Sequence, residues 1–211
     1  QDSQSSSSSD EGEHTAHVTT NLIAGFNVSN ALAAFAAVRA LGVPFAAAVE
    51  GLEALRQVRG RMEPVGHEAP APTVMVDYAH TPDALENALG AARLHCDGNL
   101  WVVFGCGGDR DRGKRSEMGA VAARLADEIV LTTDNPRTED PYTILADIEA
   151  GLGQASSVVL ADRADAIGHA IHTAVPGDLV VIAGKGHEDY QDVAGERRSF
   201  SDVEVAHAAL G

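Results

Sequence analysis

Four apolar runs punctuate the second two-thirds of the chain: Val74-Met75-Val76, Leu100-Trp101-Val102-Val103-Phe104, Ile129-Val130-Leu131 and Leu179-Val180-Val181-Ile182-Ala183. Each stops at a polar phrase bearing glycine or proline. In order these are Asp77-Tyr78-Ala79-His80-Thr81-Pro82-Asp83, Gly105-Cys106-Gly107-Gly108-Asp109-Arg110, Asp134-Asn135-Pro136-Arg137 and Gly184-Lys185-Gly186-His187-Glu188-Asp189. Unbroken apolar stretches of this length read as parallel strands covered on both faces. Ligands collect at the carboxyl ends of the strands in an open parallel sheet. Four strand ends that carry charged, glycine-rich loops therefore predict one composite site.

From Thr73 onward, strand and helix patterns alternate. Strands are predicted over 74–77, 100–104, 128–132, 157–160 and 179–183, and helices over 82–94, 115–126, 142–150, 163–173 and 202–210, with a polar hairpin near Tyr190 to Phe200. Repeated strand-helix units with right-handed crossovers predict an α/β fold with a doubly wound, mostly parallel sheet. Residues 18–60 read instead as helical, with Asn27, Ser29 or Asn30 available as a cap, a break at Gly42-Val43-Pro44 and a second helix to about Arg56. Residues 61–72, rich in Pro and Ala, read as a linker that separates this helical part from a domain over 73–211. Residues 1–17 are a Ser- and acid-rich segment expected to be disordered or a loop, and the absence of an initiating Met suggests a start inside a longer protein.

Composition narrows the function classes. The 211 residues are 45% hydrophobic but only 4% aromatic, so alanine and valine must supply most of the core. A formal net charge of -16 argues against nucleic acid or an anionic membrane as partner, because phosphate binding needs clustered Lys and Arg. The local basic stretch from Arg110 to Arg115 can still hold a small anion. Two cysteines, Cys96 and Cys106, make no disulfide framework and fit a reducing compartment. With no membrane-spanning stretch and no signal-peptide core, the expected location is cytoplasmic.

The strand-end phrases, together with Gly25-Phe26-Asn27-Val28-Ser29-Asn30 and Gly60-Arg61-Met62-Glu63, occur in an order and spacing that resembles the Mur ligases of peptidoglycan synthesis, and within them the diaminopimelate-adding branch. The resemblance covers almost everything after Leu22. It implies an ATP- and Mg²⁺-dependent, amide-forming ligase whose Rossmann-like third domain is residues 73–211, with 18–60 the end of the central ATP-binding domain. The substrates it implies are meso-diaminopimelate and a UDP-N-acetylmuramoyl dipeptide, the latter held mainly by other domains. Asp134, Asn135, Pro136 and Arg137 then look like the diaminopimelate signature, with Arg110, Gly184 and Glu188 completing the pocket. A planar guanidinium grips the distal carboxylate that lysine lacks, and a site built for that group rejects the analogue without it. Asn27, Asn30, Arg61, Asp77 and His80 are the residues the resemblance implies for ATP. No base for deprotonating the incoming amine is identified.

Other readings of the same residues stand beside these. Asn-Pro is ordinary turn chemistry, Arg110 sits in a mixed-charge loop, Asp77 suits a strand-end turn, and His80 suits a backbone-bonded position at a helix start. Gly184-Lys185-Gly186-His187 is not a phosphate loop, since the Walker spacing is absent, and no G-x-x-x-x-G-K-[ST] occurs in the chain. The family's phosphate loop and Mg²⁺ ligands are therefore expected outside it, and this chain alone is expected to be inactive. His67, His95, Cys96, Cys106 and His187 show no zinc spacing. Cys106 reads as a small residue filling a tight turn, and Trp101 as core. A lysine-adding ligase and a non-catalytic amino-acid-binding module remain as alternatives.

Overall fold

The computed structural model describes residues 15–19, 25–66 and 70–211, so the expectation for most of 1–17 and the position of His67 lie outside the described residues. Two compact units divide the chain: residues 15–19 and 27–56 of the described segments belong to the first, and 25–26 and 57–211 to the second.

In the first unit, α1 (Gly25–Ala40) and α2 (Phe45–Glu53) are joined by a short turn in which Gly42 takes a φ of 88°, and Pro44 precedes the second helix with a φ of -56°. The Phe35 and Phe45 rings meet edge to face at 5.7 Å, with the Arg39 guanidinium 6.0 Å from the Phe45 ring centre. Among the described residues of 18–60, the expected helical character is carried by these two helices.

The second unit is built on a six-stranded sheet of β1 (Glu63–Val65), β2 (Thr73–Asp77), β3 (Leu100–Phe104), β4 (Glu128–Leu131), β5 (Val158–Val159) and β6 (Leu179–Ala183), in the spatial order β1-β2-β6-β3-β4-β5. All neighbours run parallel except β1, which pairs antiparallel with β2 through Glu63↔Val76 and Val65↔Val74. Part of the segment read as a linker is therefore an edge strand, and the break between units falls earlier, between Arg56 and Gln57. Pro64 is tolerated there because an edge strand leaves one side of its backbone unpaired.

The apolar runs are buried because both sheet faces are covered. Leu100, Val102 and Phe104 of β3 and Leu179, Val181 and Ala183 of β6 pack with α3 (Pro82–Arg93), α4 (Gly113–Leu125) and α5 (Pro141–Glu149). The alternate residues Trp101, Val103, Val180 and Ile182 face α6 (Arg163–Thr173) and α7 (Asp202–Leu210). Each fully buried aliphatic side chain of this kind stabilises the fold by about 1.5–3 kcal/mol. Trp101 is core as expected, its indole N–H donating to Asp178 Oδ2 at 3.1 Å. Asp178 is pulled below the usual carboxylate range: burial opposes ionisation, but the N–H groups of Val175, Asn99 and Trp101 outweigh it.

Side-chain caps start most of the helices of the second unit. Thr81, Asp140, Asp162 and Ser201 accept from N–H groups of Ala84, Tyr142, Ala164 and Glu204, and Pro82 and Pro141 occupy first turns. Two-stranded β7 (Tyr190–Val193) and β8 (Glu196–Ser199) form the expected hairpin, closed by Ala194 and Gly195 at φ 53° and 80°. Positive φ at both central residues is the type I′ arrangement, whose twist matches that of the flanking strands.

One ion cluster makes acid stability testable. The buried Arg115 guanidinium donates to Glu139 Oε1 and Asp147 Oδ2, both at 2.9 Å, and Arg112 adds a bond to Glu139 Oε2 at 3.1 Å. The Arg115 hydrogen bond, with the Asp109 N–H, lowers the Glu139 carboxyl from 4.5 to about 2. A lowered folded-state pKa gives stability that is complete above 4.5 and disappears as pH falls through about 2. Melting temperature should therefore fall between these pH values, and Glu139→Gln should flatten that slope while lowering the neutral-pH value. An unchanged slope in the variant would remove Glu139 from the acid response.

Candidate functional site

A cavity of about 560 Å³ opens at the carboxyl ends of β2, β6, β3 and β4, where the alternating pattern placed it. It is lined by Tyr78, His80 and Thr81 after β2, and by Gly107, Arg110, Asp111 and Lys114 after β3. Asp134, Asn135 and Arg137 come from the loop after β4, and Gly184, Glu188 and Tyr190 from the segment after β6. Six of the seven residues assigned to the amino-acid pocket from sequence are thus brought together. The seventh, Pro136, is buried beside them, and a Cβ built on Gly108 would stand 2.0 Å from its carbonyl oxygen.

The loops after β3 and β4 are zipped to one another. Gly108 N–H donates to Asn135 O at 2.9 Å, and Arg137 Nη1 donates to Gly108 O at 2.6 Å and Asn135 O at 3.4 Å. Asp109 accepts from Thr138 N and Oγ1 at 3.1 and 2.9 Å. Bare Cα atoms permit this approach, since a Cβ on Gly107 would lie 2.9 Å from Arg137 Nη1. Arg137 itself takes a φ of 52°, and the hairpin holds it there: Arg137 N–H donates to Asp192 O at 3.0 Å and Ala194 N–H to Arg137 O at 2.7 Å. A left-handed non-glycine residue persists only where surrounding bonds over-determine it. With Nη1 committed to carbonyls, the Nε–Nη2 edge has no protein partner among the described residues. That edge carries two parallel N–H groups, the geometry that matches a carboxylate. Arg110 is exposed at the cavity rim and has no hydrogen bond or ion pair among the described residues.

Acidic groups face these cations. Glu188 Oε2 accepts from Asn135 Nδ2 at 2.9 Å and from Lys185 Nζ at 3.2 Å, while Oε1 has no partner among the described residues. Asp134 Oδ1 is buried without a hydrogen bond, its nearest cation being Lys185 Nζ at 3.5 Å. Behind them, the fully buried Arg163 forms a bidentate pair with Asp202 at 2.7 and 2.8 Å. Its remaining N–H groups tie Thr133 O at 3.1 Å to Ala183 O at 3.0 Å. This brace sits directly behind Asp134 and Gly184 and fixes the spacing of two loops remote in sequence.

The residues singled out for ATP are less concentrated. Only His80 lines the cavity, with Nδ1 2.8 Å from Tyr78 O and its own carbonyl accepting from Lys114 Nζ at 2.7 Å. Asp77 is buried, accepts from Met62 N–H at 2.8 Å, and is pushed above the usual carboxylate range by burial. Arg61 is exposed with its guanidinium 5.1 Å from the Tyr78 ring centre. Asn27 and Asn30 lie in the early turns of α1, within the first unit.

Sequence reasoning passed over Tyr78, Thr81, Gly107, Asp111, Lys114 and Tyr190 as cavity residues. Lys114 had a signal, since it belongs to the basic stretch noted before α4. Tyr190 had none, because its place depends on the fold of the hairpin. Cys106 is buried, and burial pushes its thiol up to about 12, as suits a small residue filling a tight turn. Among the described residues no cluster of His, Cys, Asp or Glu suits a metal ion, and no helix is long and apolar enough to cross a membrane.

A doubly wound α/β domain with an edge antiparallel strand and an amphoteric cavity at its strand ends is the class this geometry defines. Residues 60–186 match the family described as Mur ligase, glutamate ligase domain, and the chain belongs to it. Over 194 residues the chain is 55% identical to UDP-N-acetylmuramoyl-L-alanyl-D-glutamate--2,6-diaminopimelate ligase of Parasynechococcus marenigrum, covering 90% of this chain and 39% of that protein. The ligase of the same name from Coxiella burnetii is 52% identical over 193 residues, covering 91% and 39%. A solved structure of such a ligase superposes with a TM-score of 0.70 at 43% identity, over 92% of this chain and 40% of that one. Folylpolyglutamate synthase of Mycobacterium tuberculosis, complexed with ADP and AMPPCP, shares the fold at 22% identity and a TM-score of 0.64, over 90% and 41%. The chain therefore spans about two-fifths of the length of these relatives.

Proposed function

We propose that this chain is the amino-acid-recognising part of an ATP- and Mg²⁺-dependent ligase that joins meso-diaminopimelate to UDP-N-acetylmuramoyl-L-alanyl-D-glutamate. The observation that carries the reading is the pairing, in one cavity, of the open Nε–Nη2 edge of Arg137 with the open Oε1 of Glu188. A two-headed amino acid presents carboxylates and ammonium groups to such a lining, and neither charge is then buried unpaired. Arg110 supplies a second cation for carboxylate, and Asp134 a second acceptor for ammonium.

In the reaction, ATP phosphorylates the D-glutamate side-chain carboxylate. The amine of diaminopimelate, having lost a proton, attacks that acyl phosphate, forming the C–N bond as phosphate leaves. This chain's share is to hold the amine at fixed distance and angle, the kind of positioning that lowers a bimolecular barrier most. Within the second unit, Arg61 and His80 are the groups accessible for the nucleotide, and Asp77 contributes by holding the Met62 backbone; Asn30, on α1 of the first unit, is exposed as well. The Walker phosphate-loop pattern does not occur in this sequence, and in this reading the phosphate loop and the Mg²⁺ ligands come from other parts of the ligase.

The test is ADP release by the intact gene product with both substrates present. Release should require diaminopimelate, and lysine should substitute poorly. Equal rates with lysine would reassign the substrate, and release indifferent to either amino acid would remove the ligase reading. The 211-residue chain alone should form no ADP.

A further inference from the structure

We infer that Lys185 is a positioning residue whose buried ammonium sets the direction of Asn135 and Glu188 and so decides which oxygen of Glu188 faces the ligand. Its side chain is fully enclosed, and Nζ lies 3.0 Å from Asn135 Oδ1, 3.2 Å from Glu188 Oε2 and 3.5 Å from Asp134 Oδ1. An ammonium has three N–H donors and no acceptor; here it donates to Asn135 Oδ1 and Glu188 Oε2 and pairs with Asp134 Oδ1 by charge without a hydrogen bond. Lys185 Nζ is thus enclosed among protein oxygens, and its effect on a ligand passes through its neighbours.

The amide of Asn135 shows how. Its Oδ1 meets two pure donors, Lys185 Nζ and the Asp192 N–H at 2.9 Å, so an inverted amide would set N–H against N–H on both sides. Nδ2 is thereby forced toward Glu188 Oε2 at 2.9 Å. That oxygen, already bonded by Lys185, is closed to a ligand, and Oε1 remains open at the cavity wall. One cation following β6 thus orders three groups from two loops about fifty residues apart. It also counters the two carboxylates of Asp134 and Glu188. Other charged and polar groups around this cluster are Arg163 behind it, Gln191 and Asp192 on the hairpin, and the Tyr190 ring, 5.4 Å from Nζ.

The identity of the ligand in this inference rests on the proposed function, whereas the network itself does not. In the intact gene product, Lys185→Met should raise the KM for diaminopimelate about 10- to 100-fold, the scale of one misaligned charge-assisted contact. The KM for ATP should stay within a factor of about three. In a Glu188→Gln background the same change should add less than about threefold, because residues acting as one unit are non-additive. Penalties that multiply in the double variant would overturn the inference and leave Lys185 a packing residue. A second measurement needs no variant to fold: ¹⁵N NMR of the wild-type chain should show a lysine ammonium protected from solvent exchange, with the Asn135 side-chain amide shifted from free values. Absence of a protected ammonium would overturn the inference as well. A protected ammonium and non-additive variants, with no response to diaminopimelate, would uphold Lys185 and count against the proposed ligand.

Discussion

Arg137→Ala in the intact gene product is expected to raise the KM for meso-diaminopimelate on the order of 10²- to 10⁴-fold, the loss of two hydrogen bonds to a charged group at about 1.5–3 kcal/mol each. Lysine, which has nothing to offer that guanidinium, should change by less than about threefold, so discrimination collapses. The size of the effect follows from pre-organisation. Arg137 is fixed at its backbone by two bonds to the hairpin and at Nη1 by Gly108 O, so little freedom remains to be lost on binding. Gly107→Ala is the companion test: its Cβ would stand 2.9 Å from Nη1 and displace the guanidinium without removing it. That variant should cost about ten- to a hundredfold, the scale set by misplacing a binding group by roughly an ångström. If diaminopimelate and lysine lose affinity equally in Arg137→Ala, the guanidinium does not read the distal carboxylate.

Asp202→Ala should destabilise the second unit by about 3–5 kcal/mol, since it strands a guanidinium that has no access to water. For a chain of this size, that corresponds to a fall in melting temperature of roughly 6–20 °C. Arg163→Met combined with Asp202→Leu should recover most of the loss, because replacing a whole buried pair by apolar groups of similar volume is often neutral. The recovered protein should nevertheless bind diaminopimelate weakly, as Thr133 O and Ala183 O lose the link that spaces Asp134 from Gly184. Calorimetric melting and amino-acid titration separate the two effects. A stable double variant with unimpaired binding would show that the brace serves folding alone.

The elements were legible because their causes are local or periodic. Val102, Val103, Val181 and Ile182 lie in unbroken apolar runs that only a doubly covered sheet accommodates, and Thr81-Pro82 and Asp140-Pro141 announce helix starts by cap and fixed φ. The strand-end phrases could be placed in one site on topology alone. The edge strand at Glu63–Val65 was missed because three residues containing a proline carry no period, and only pairing with β2 defines them. What the sequence did not show of Asp77 is its side-chain direction, for one of its oxygens turns inward to Met62 N–H.

The sequence by itself determined the five parallel strands, where the charged strand-end loops fall, and that Arg137, Arg110 and Glu188 are among their charged members. Tertiary structure alone decided that β6 inserts between β2 and β3, that Lys185 points into the protein, and that the hairpin clamps Arg137 at positive φ. The physical reason is range. Burial and capping are written in neighbours a few residues apart, whereas the direction of a side chain at a strand end is set by hydrogen-bond partners such as Asn135, fifty positions away in the case of Lys185.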